Sequence, residues 1–432
     1  AWLRTRRFWV QILAGAPNMN KTKFSFQIII LISSALIVRL IAFYFYGDNQ
    51  LENEWKILVN NLSEKGILGF YVADENLGTL PKVADENEVV LPSVFMPPLY
   101  TYFLFIIKFI FSNFVNFINI ILFFQIFISI FSCYLFFKII QSSYNLNTSF
   151  YVALIFSLVP INVYASVQIS SISIQVFLLV YYFYILKMFS VKKEINHKDL
   201  FIFSIISGFL ILLRGEFILF YLLSLIYFFY FYERRIKLFI VSIILTLLVV
   251  SPYLVRNYYQ FNTFTITKSF GYNLLKGNNP SFKVEGNPTY IETEFERKEL
   301  DILINNKYEI NLDNFYKEKA IENIKLDPLK YLLNFFKKIF SFLTIDVNSS
   351  YENYYNILHI IPKLMLSVLS LFGGIIALKK RGFLQYLSIY YFSSILFFSI
   401  FFILPRYSLI LLPVQILLSL EFLKSLLRKF IN

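Results

Sequence analysis

Three carboxylates, Asp48, Glu52 and Glu54, follow directly on the long apolar run Phe24–Tyr46. A carboxyl at a membrane surface, its proton affinity raised by burial, can serve as a general base toward a hydroxyl or amine. Three arginines fall at the ends of later apolar runs: Arg214 in LLRGEF, Arg256 in SPYLVRNYYQF and Arg406 in LPRYSL. A guanidinium stays charged and grips phosphate through paired hydrogen bonds. Any one of them can snorkel to lipid headgroups. Three together, opposite carboxylates, point to a lipid-linked phosphate and a carboxylate base. Lys108 and Arg39 are weaker candidates, and Arg39 is expected to pair with a nearby acid. His197 and His359 are read as structural.

The elements that must position these groups are membrane spans. The chain is 57% hydrophobic, with apolar runs of 18 or more residues recurring along its length, each enough to cross about 30 Å of hydrocarbon. The short alternating segments of a membrane barrel are absent. A net charge of +13 sets orientation in such a chain and does not argue for nucleic acid. The single cysteine, Cys133, excludes an intramolecular disulfide, and two distant histidines make a zinc site unexpected. Residues 1–18 precede Met19 and are read as an upstream extension outside the site.

Basic clusters then set the topology. Arg4, Arg6, Arg7, Lys21 and Lys23 keep the first end inside. Lys138, the group Lys192, Lys193 and Lys198, the group Arg234, Arg235 and Lys237, Lys379 to Arg381, and Lys424 to Lys429 return to that side. This parity gives ten crossings: 24–46, 115–139, 149–166, 168–187, 199–213, 216–232, 236–255, 357–378, 383–403 and 405–423. The Pro-led segment 98–112 becomes interfacial or re-entrant. Both termini are inside, and the loops 47–97 and 256–352 are outside.

These two loops hold 22 of the 27 acidic residues. Asp74, Glu75, Asp85, Glu86 and Glu88 read as a solvated face. In the second loop, 290–306, 313–326 and 327–343 have the spacing of short amphipathic helices lying on the membrane. The expected organisation is an N-terminal extension 1–23, a transmembrane module 24–255, an external loop 256–352 and C-terminal transmembrane helices 353–432. No phosphate-binding glycine motif is present, which speaks against a nucleotide-driven pump.

Several pieces, in order along the chain, carry a family resemblance. They are Glu54-Trp55, Asn61-Leu62 and Gly69-Phe70, then Pro97-Pro98-Leu99-Tyr100 and Leu213-Arg214-Gly215-Glu216. Next come Pro252-Tyr253-Leu254-Val255-Arg256-Asn257-Tyr258 with Phe261 and Phe264. Gly271-Tyr272-Asn273-Leu274 and Gly277-Asn278-Asn279-Pro280 follow, and last Arg406-Tyr407 before Pro413. The chain resembles GT-C-type membrane glycosyltransferases that use polyprenyl-phosphate sugars, above all the branch described as dolichyl-phosphate-mannose-protein mannosyltransferase-like, and also the aminoarabinose transferases. Gly215 stands where the family often has proline.

The resemblance implies an all-α polytopic GT-C fold of about 10–11 transmembrane helices with two large external loops. It implies an inverting transfer from a polyprenyl-phosphate sugar to a lipid, glycan or protein acceptor, at the outer face of the cytoplasmic membrane. Glu54 is the first choice of base, with Glu52 and Asp48 open. Arg256, Arg406 and Arg214 would hold the donor phosphate. Asn257, Tyr258, Asn278, Asn279, Tyr100 and Tyr407 would line the substrate pocket. No metal or cofactor is expected. A transporter or flippase of a lipid-linked sugar is the competing reading.

Overall fold

The computed structural model describes residues 21–74, 78–111, 116–191, 195–232, 236–295, 302–351 and 354–431. The extension before Lys21, together with Glu75, Lys192, Lys193, Arg234 and Arg235, lies outside them.

The first run folds as helix α1 (Lys21–Tyr46). It stops at Gly47, whose peptide N–H still reaches the Phe43 carbonyl at 3.0 Å. A Cβ there would come within 2.6 Å of that oxygen, so the chain turns where only glycine fits. The loop that follows is not all helix. Helix α2 (Asn53–Lys65) is followed by strands β1 (Gly69–Asp74), β2 (Gly78–Pro81) and β3 (Val89–Pro92). They form an antiparallel sheet in the order β2-β1-β3, with Tyr71 opposite both Pro81 and Leu91. Asn61, buried in α2, ties helix to sheet: it donates to the Gly69 and Lys82 carbonyls and accepts from the Ala84 N–H. A buried amide whose NH2 and oxygen are both engaged fixes an interface that apolar contact alone would leave free to slide.

Helix α3 (Pro98–Phe111) has 14 residues, about 21 Å at 1.5 Å per residue, too short to span. It packs on α2 and on α4 (Phe117–Gln141). The span expected at 149–166 is broken into α5 (Leu146–Leu158) and α6 (Pro160–Ala165). Pro160 has no N–H for the Phe156 carbonyl; the Asn162 side chain supplies one at 3.0 Å. The next carbonyl, Ser157, takes a bond from Arg39 at 3.1 Å. Arg39, fully buried, also donates to Ser129, Ala35 and Cys133. Its expected acid partner is replaced by neutral acceptors that repair a broken helix.

Helices α7 (Ile172–Val191), α8 (His197–Leu213) and α9 (Phe217–Leu225, continuing as a π turn Ile226–Tyr232) lead to α10 (Ile236–Phe261). The second loop contains α11 (Phe270–Gly277), α12 (Pro288–Glu294), α13 (Tyr308–Leu326) and α14 (Pro328–Leu343), close to the three helices expected there. On α14, Leu329, Leu332, Leu333, Phe336 and Phe340 are exposed while Tyr331, Asn334, Lys338 and Ser341 are buried, the pattern of a helix lying in an interface. Helices α15 (Ile357–Leu378), α16 (Phe383–Ile400) and α17 (Pro405–Ile431) complete the chain.

Seven of the described helices are long and apolar enough to cross a membrane: those beginning at Phe24, Phe117, Ile172, Ile236, Ile357, Phe383 and Pro405. Of the ten expected spans, 149–166, 199–213 and 216–232 are realised as shorter pieces packed beside them. α5 lies on α1 and α4, and α8 on α7 and α10.

Candidate functional site

The turn 166–171 between α6 and α7 is where the acids meet the arginines. Asp48 is held on it at two points. Its N–H donates to the Val167 carbonyl at 3.3 Å, and its Oδ2 accepts from the Ile169 N–H at 2.6 Å. Gln168 donates to the Tyr46 carbonyl and accepts from Gln125, which in turn accepts from the Tyr100 hydroxyl at 2.8 Å. Three residues beyond Gln168, Ser171 accepts from Arg214, and Gln175 on the first turns of α7 does the same at 3.2 Å. One short turn thus positions a carboxylate and a guanidinium together. Burial raises the Asp48 carboxyl above its usual range; the Ile169 N–H opposes this, and the nearby Glu52 charge adds to it. Glu52 is exposed and bonded to Gln50 at 3.2 Å.

Glu54, half-buried, occupies the first turn of α2, where peptide dipoles favour a carboxylate. The next residue, Trp55, meets Tyr100 edge-on at 4.8 Å, so the Pro97-Pro98-Leu99-Tyr100 segment walls the loop side of the site. Across from Glu54 lies Lys276. The electrostatic neighbours of Lys276 are Arg406, Glu54 and Glu292; burial first, then Arg406, pushes its ammonium below the usual range. Its cation rests on the Phe402 ring at 4.6 Å. Arg406 is exposed at the start of α17 and acts on Arg214 and on Tyr407. Tyr407 stacks on Phe398 at 4.6 Å. The charged groups therefore run Arg214, Arg406, Lys276, Glu54, with Glu216 beside Arg214, and Asp48 is tied to the same turn that holds Arg214.

The Gly-Asn-Asn-Pro segment builds the floor beneath Lys276. Asn278 donates to the Leu274 and Ile400 carbonyls, and Asn279 to the Leu275 and Lys276 carbonyls. Gly277 touches the end of α16: a Cβ would lie 1.8 Å from the Phe401 carbonyl oxygen. Lys338, fully buried, donates to the Gly277 and Phe401 carbonyls and to Asn278. Burial lowers its ammonium to about 7. Both asparagines are thus committed to backbone, holding α11 against the Phe401–Arg406 turn.

Arg256 sits elsewhere. It donates to the Ser93 carbonyl at 2.9 Å, to Asn257 at 2.7 Å and to the Leu68 carbonyl at 3.3 Å. Its guanidinium lies 5.7 Å from the Tyr253 ring centre and 5.4 Å from that of Phe261. Asn257 donates to the Thr265 carbonyl, and exposed Tyr258 stacks on Phe264. The charged neighbour of this corner is Glu309 of α13, whose Oε2 accepts from the Val94 N–H at 2.7 Å. The structure places Asp48, Glu54, Arg214, Arg406, Tyr100 and Tyr407 on one shared site and Arg256, Asn257 and Tyr258 beside the sheet.

Lys276, Gln175, Ser171 and Glu309 were missed by the sequence reading. Lys276 had a signal: it is the cation inside the Gly271–Pro280 motif, directly before Gly-Asn-Asn-Pro. Among the described residues no group of three or more His, Cys, Asp or Glu lies close enough to hold a metal ion.

Fold and site define a polytopic helical membrane protein with the GT-C fold, as the resemblance implied. Residues 87–297, just under half the chain, match the Alg9-like mannosyltransferase family. The oligosaccharyltransferase from Archaeoglobus fulgidus tethered to an acceptor peptide superposes with TM-score 0.54 at 12% identity, covering 93% of this chain and 50% of that one. The same archaeal enzyme, AglB, in complex with an inhibitory peptide and a dolichol-phosphate gives 0.53 at 11% identity, again over 93% and 50%. The chain thus spans about half the length of these structures. ArnT from Cupriavidus metallidurans bound to undecaprenyl phosphate gives 0.38 at 11% identity, too loose to add to the fold assignment. No curated protein matches the chain by sequence.

Proposed function

We propose that the chain is a glycosyltransferase that moves a sugar from a polyprenyl-phosphate donor to a lipid, glycan or protein acceptor at the external face of the membrane, with inversion. The observation that carries this reading is the run Arg214, Arg406, Lys276 at one end of the bundle, flanked by carboxylates on both sides. A lipid monophosphate brings negative charge to the membrane surface and gains more as its bond to the sugar breaks. Fixed cations in a partly dry site stabilise that gain. Arg406 and Lys276 are assigned to the phosphate, and Arg214, held by Ser171 and Gln175, positions it.

Inversion needs the acceptor to attack the anomeric carbon from the side opposite the phosphate. The base therefore stands across the sugar ring from the phosphate cations, with room between for the acceptor, as the two carboxylates of inverting hydrolases stand apart. Glu54 lies in the electrostatic range of Lys276, one of the two cations assigned to the phosphate. Asp48 is set off from them, anchored by one oxygen, raised by burial, and its second oxygen is free to take a proton. The assignment of base accordingly moves from Glu54 to Asp48. In the step, Asp48 accepts the acceptor's proton and the acceptor oxygen or nitrogen bonds to the anomeric carbon. The carbon–oxygen bond to phosphate breaks, its electron pair leaving on polyprenyl phosphate. Such a leaving group asks for no metal.

The test is sugar transfer from a labelled polyprenyl-phosphate sugar by purified variants of unchanged melting temperature. Asp48→Asn is expected to lower turnover by about 10²–10⁴, the range of a positioned general base, and Glu54→Gln by about ten-fold. The opposite ranking returns the base to Glu54. Full transfer by both variants, and by Glu52→Gln as well, removes carboxylate-assisted transfer altogether.

A further inference from the structure

A shallow hollow of about 410 Å³, open along most of its face, lies at the other end of the bundle. Phe24 of α1, Lys138, Gln141 and Ser142 at the end of α4, and Tyr184 and Met188 of α7 line it. Phe24 and Tyr46 lie at opposite ends of α1, roughly 33 Å apart at 1.5 Å per residue. That is one bilayer core away from Asp48.

The Lys138 ammonium sits in this wall with neutral partners. It donates to Gln141 at 3.2 Å and lies 4.7 Å from the Phe24 ring centre and 5.7 Å from that of Tyr134. Among the described residues no carboxylate forms an ion pair with it. The described acids of this end act on other groups. Glu421 pairs with Lys380 and accepts from Tyr144, and Asp199 is an electrostatic neighbour of Tyr181. Among the described residues this partly buried cation, held by ring faces and one amide, has no counter-charge. Around it the hollow offers the Tyr184 hydroxyl and the Gln141 amide N–H groups, which can donate to phosphate oxygens, while the Ser142 hydroxyl already donates to the Ile139 carbonyl at 2.6 Å. Phe24 and Met188 supply an apolar side.

We infer that this hollow is a binding site for the headgroup of an anionic phospholipid, with the lipid phosphate on Lys138 and its glycerol end against Phe24 and Met188. A basic pocket between helix ends, at headgroup depth, has the charge and polarity gradient of the lipid itself. The site is distinct from the one proposed for transfer, and neither needs the other to be correct.

Native mass spectrometry of the full chain, released from vesicles of phosphatidylglycerol or phosphatidylcholine, tests this. Wild-type protein should retain phosphatidylglycerol in preference to phosphatidylcholine. Lys138→Gln should weaken that retention roughly five-fold, the effect of about one basic residue at a membrane surface, and Lys138→Arg should preserve it. Tyr184→Phe should weaken it in a protein that keeps its charge and packing. Equal retention of phosphatidylglycerol by wild type, Lys138→Gln and Tyr184→Phe overturns the proposal. So does displacement of the lipid by inorganic phosphate alone, which would assign the hollow to a free anion.

Discussion

Two arginines looked alike in the sequence, and the structure gives them different work. Arg256 closes the first loop: its donors go to the Ser93 and Leu68 carbonyls, side by side at the end of the sheet where β1 begins and β3 stops, and to its neighbour Asn257. Arg406 is exposed on the rim beside Lys276, Arg214 and Tyr407. A guanidinium that satisfies backbone carbonyls is part of the scaffold, whereas one that stands among other cations is held there against their repulsion. Like charges converge at a cost, and a phosphate removes that cost. The comparison teaches that an arginine at a span end is identified by what its neighbours already satisfy.

The largest effect that could break this contrast belongs to the Arg406 corner. Arg406→Ala and Lys276→Met should each lower transfer about 10²–10³, as losing one preorganised donor to a developing charge does. Arg406→Ala should leave the melting temperature unchanged, because that side chain is exposed. Steady-state transfer with a polyprenyl-phosphate sugar, beside a melting curve, measures both. Retained transfer in either variant would take that residue off the phosphate.

At Arg256 the expectation is reversed. Arg256→Ala takes the charged donor from the Ser93 carbonyl, leaves the Leu68 carbonyl with the Ser93 N–H alone, and uncovers the Tyr253 and Phe261 rings. The loss should be about 3 kcal/mol, the scale of hydrogen bonds to a charged group. Limited proteolysis should then cut the loop 66–95 faster than in wild type, and donor affinity should fall only as far as loop order does. An intact loop with abolished donor binding would restore Arg256 as a phosphate ligand.

Much of the architecture was legible because it is written in hydrophobic runs and charge parity. The long spans, the short Pro98–Phe111 helix and the amphipathic helices of the second loop all follow from length and pattern. The small sheet was not: Gly69–Asp74 and Val89–Pro92 are four to six residues long, and strands that short carry little periodicity. Of the site, the acid-rich turn and Arg214 and Arg406 stood out by residue type. The partners that sort them did not. The Asp48 anchor is a backbone N–H of Ile169, 121 residues away, and Arg256 is satisfied by carbonyls 163 and 188 residues away. Backbone groups have no sequence signature, so arginines of equal promise could not be told apart.

The smallest effect lies on the scaffold side of the comparison, at Glu309. This carboxyl is buried between α13 and the sheet, facing Ser93, the Val94 and Phe95 N–H groups, Arg256 and Tyr253. One oxygen accepts from Val94 while Oε1 has no partner. Burial raises it from 4.5 to about 7, against the opposing pull of the N–H groups and of Arg256. A carboxyl raised in the folded state favours folding while protonated. That contribution is complete below the unfolded value near 4.5 and is lost as pH rises through about 7. Between pH 5 and 7.5 it should cost wild type about 2 kcal/mol relative to Glu309→Gln, which cannot ionise. Melting curves of the two proteins across that range give the difference. The scaffold role of this corner predicts that the curves diverge toward neutral pH in stability while the transfer rate per folded molecule stays equal. Parallel curves would mean that Glu309 is already ionised and paired with Arg256, and the corner would then hold a true ion pair instead of a guanidinium spent on carbonyls.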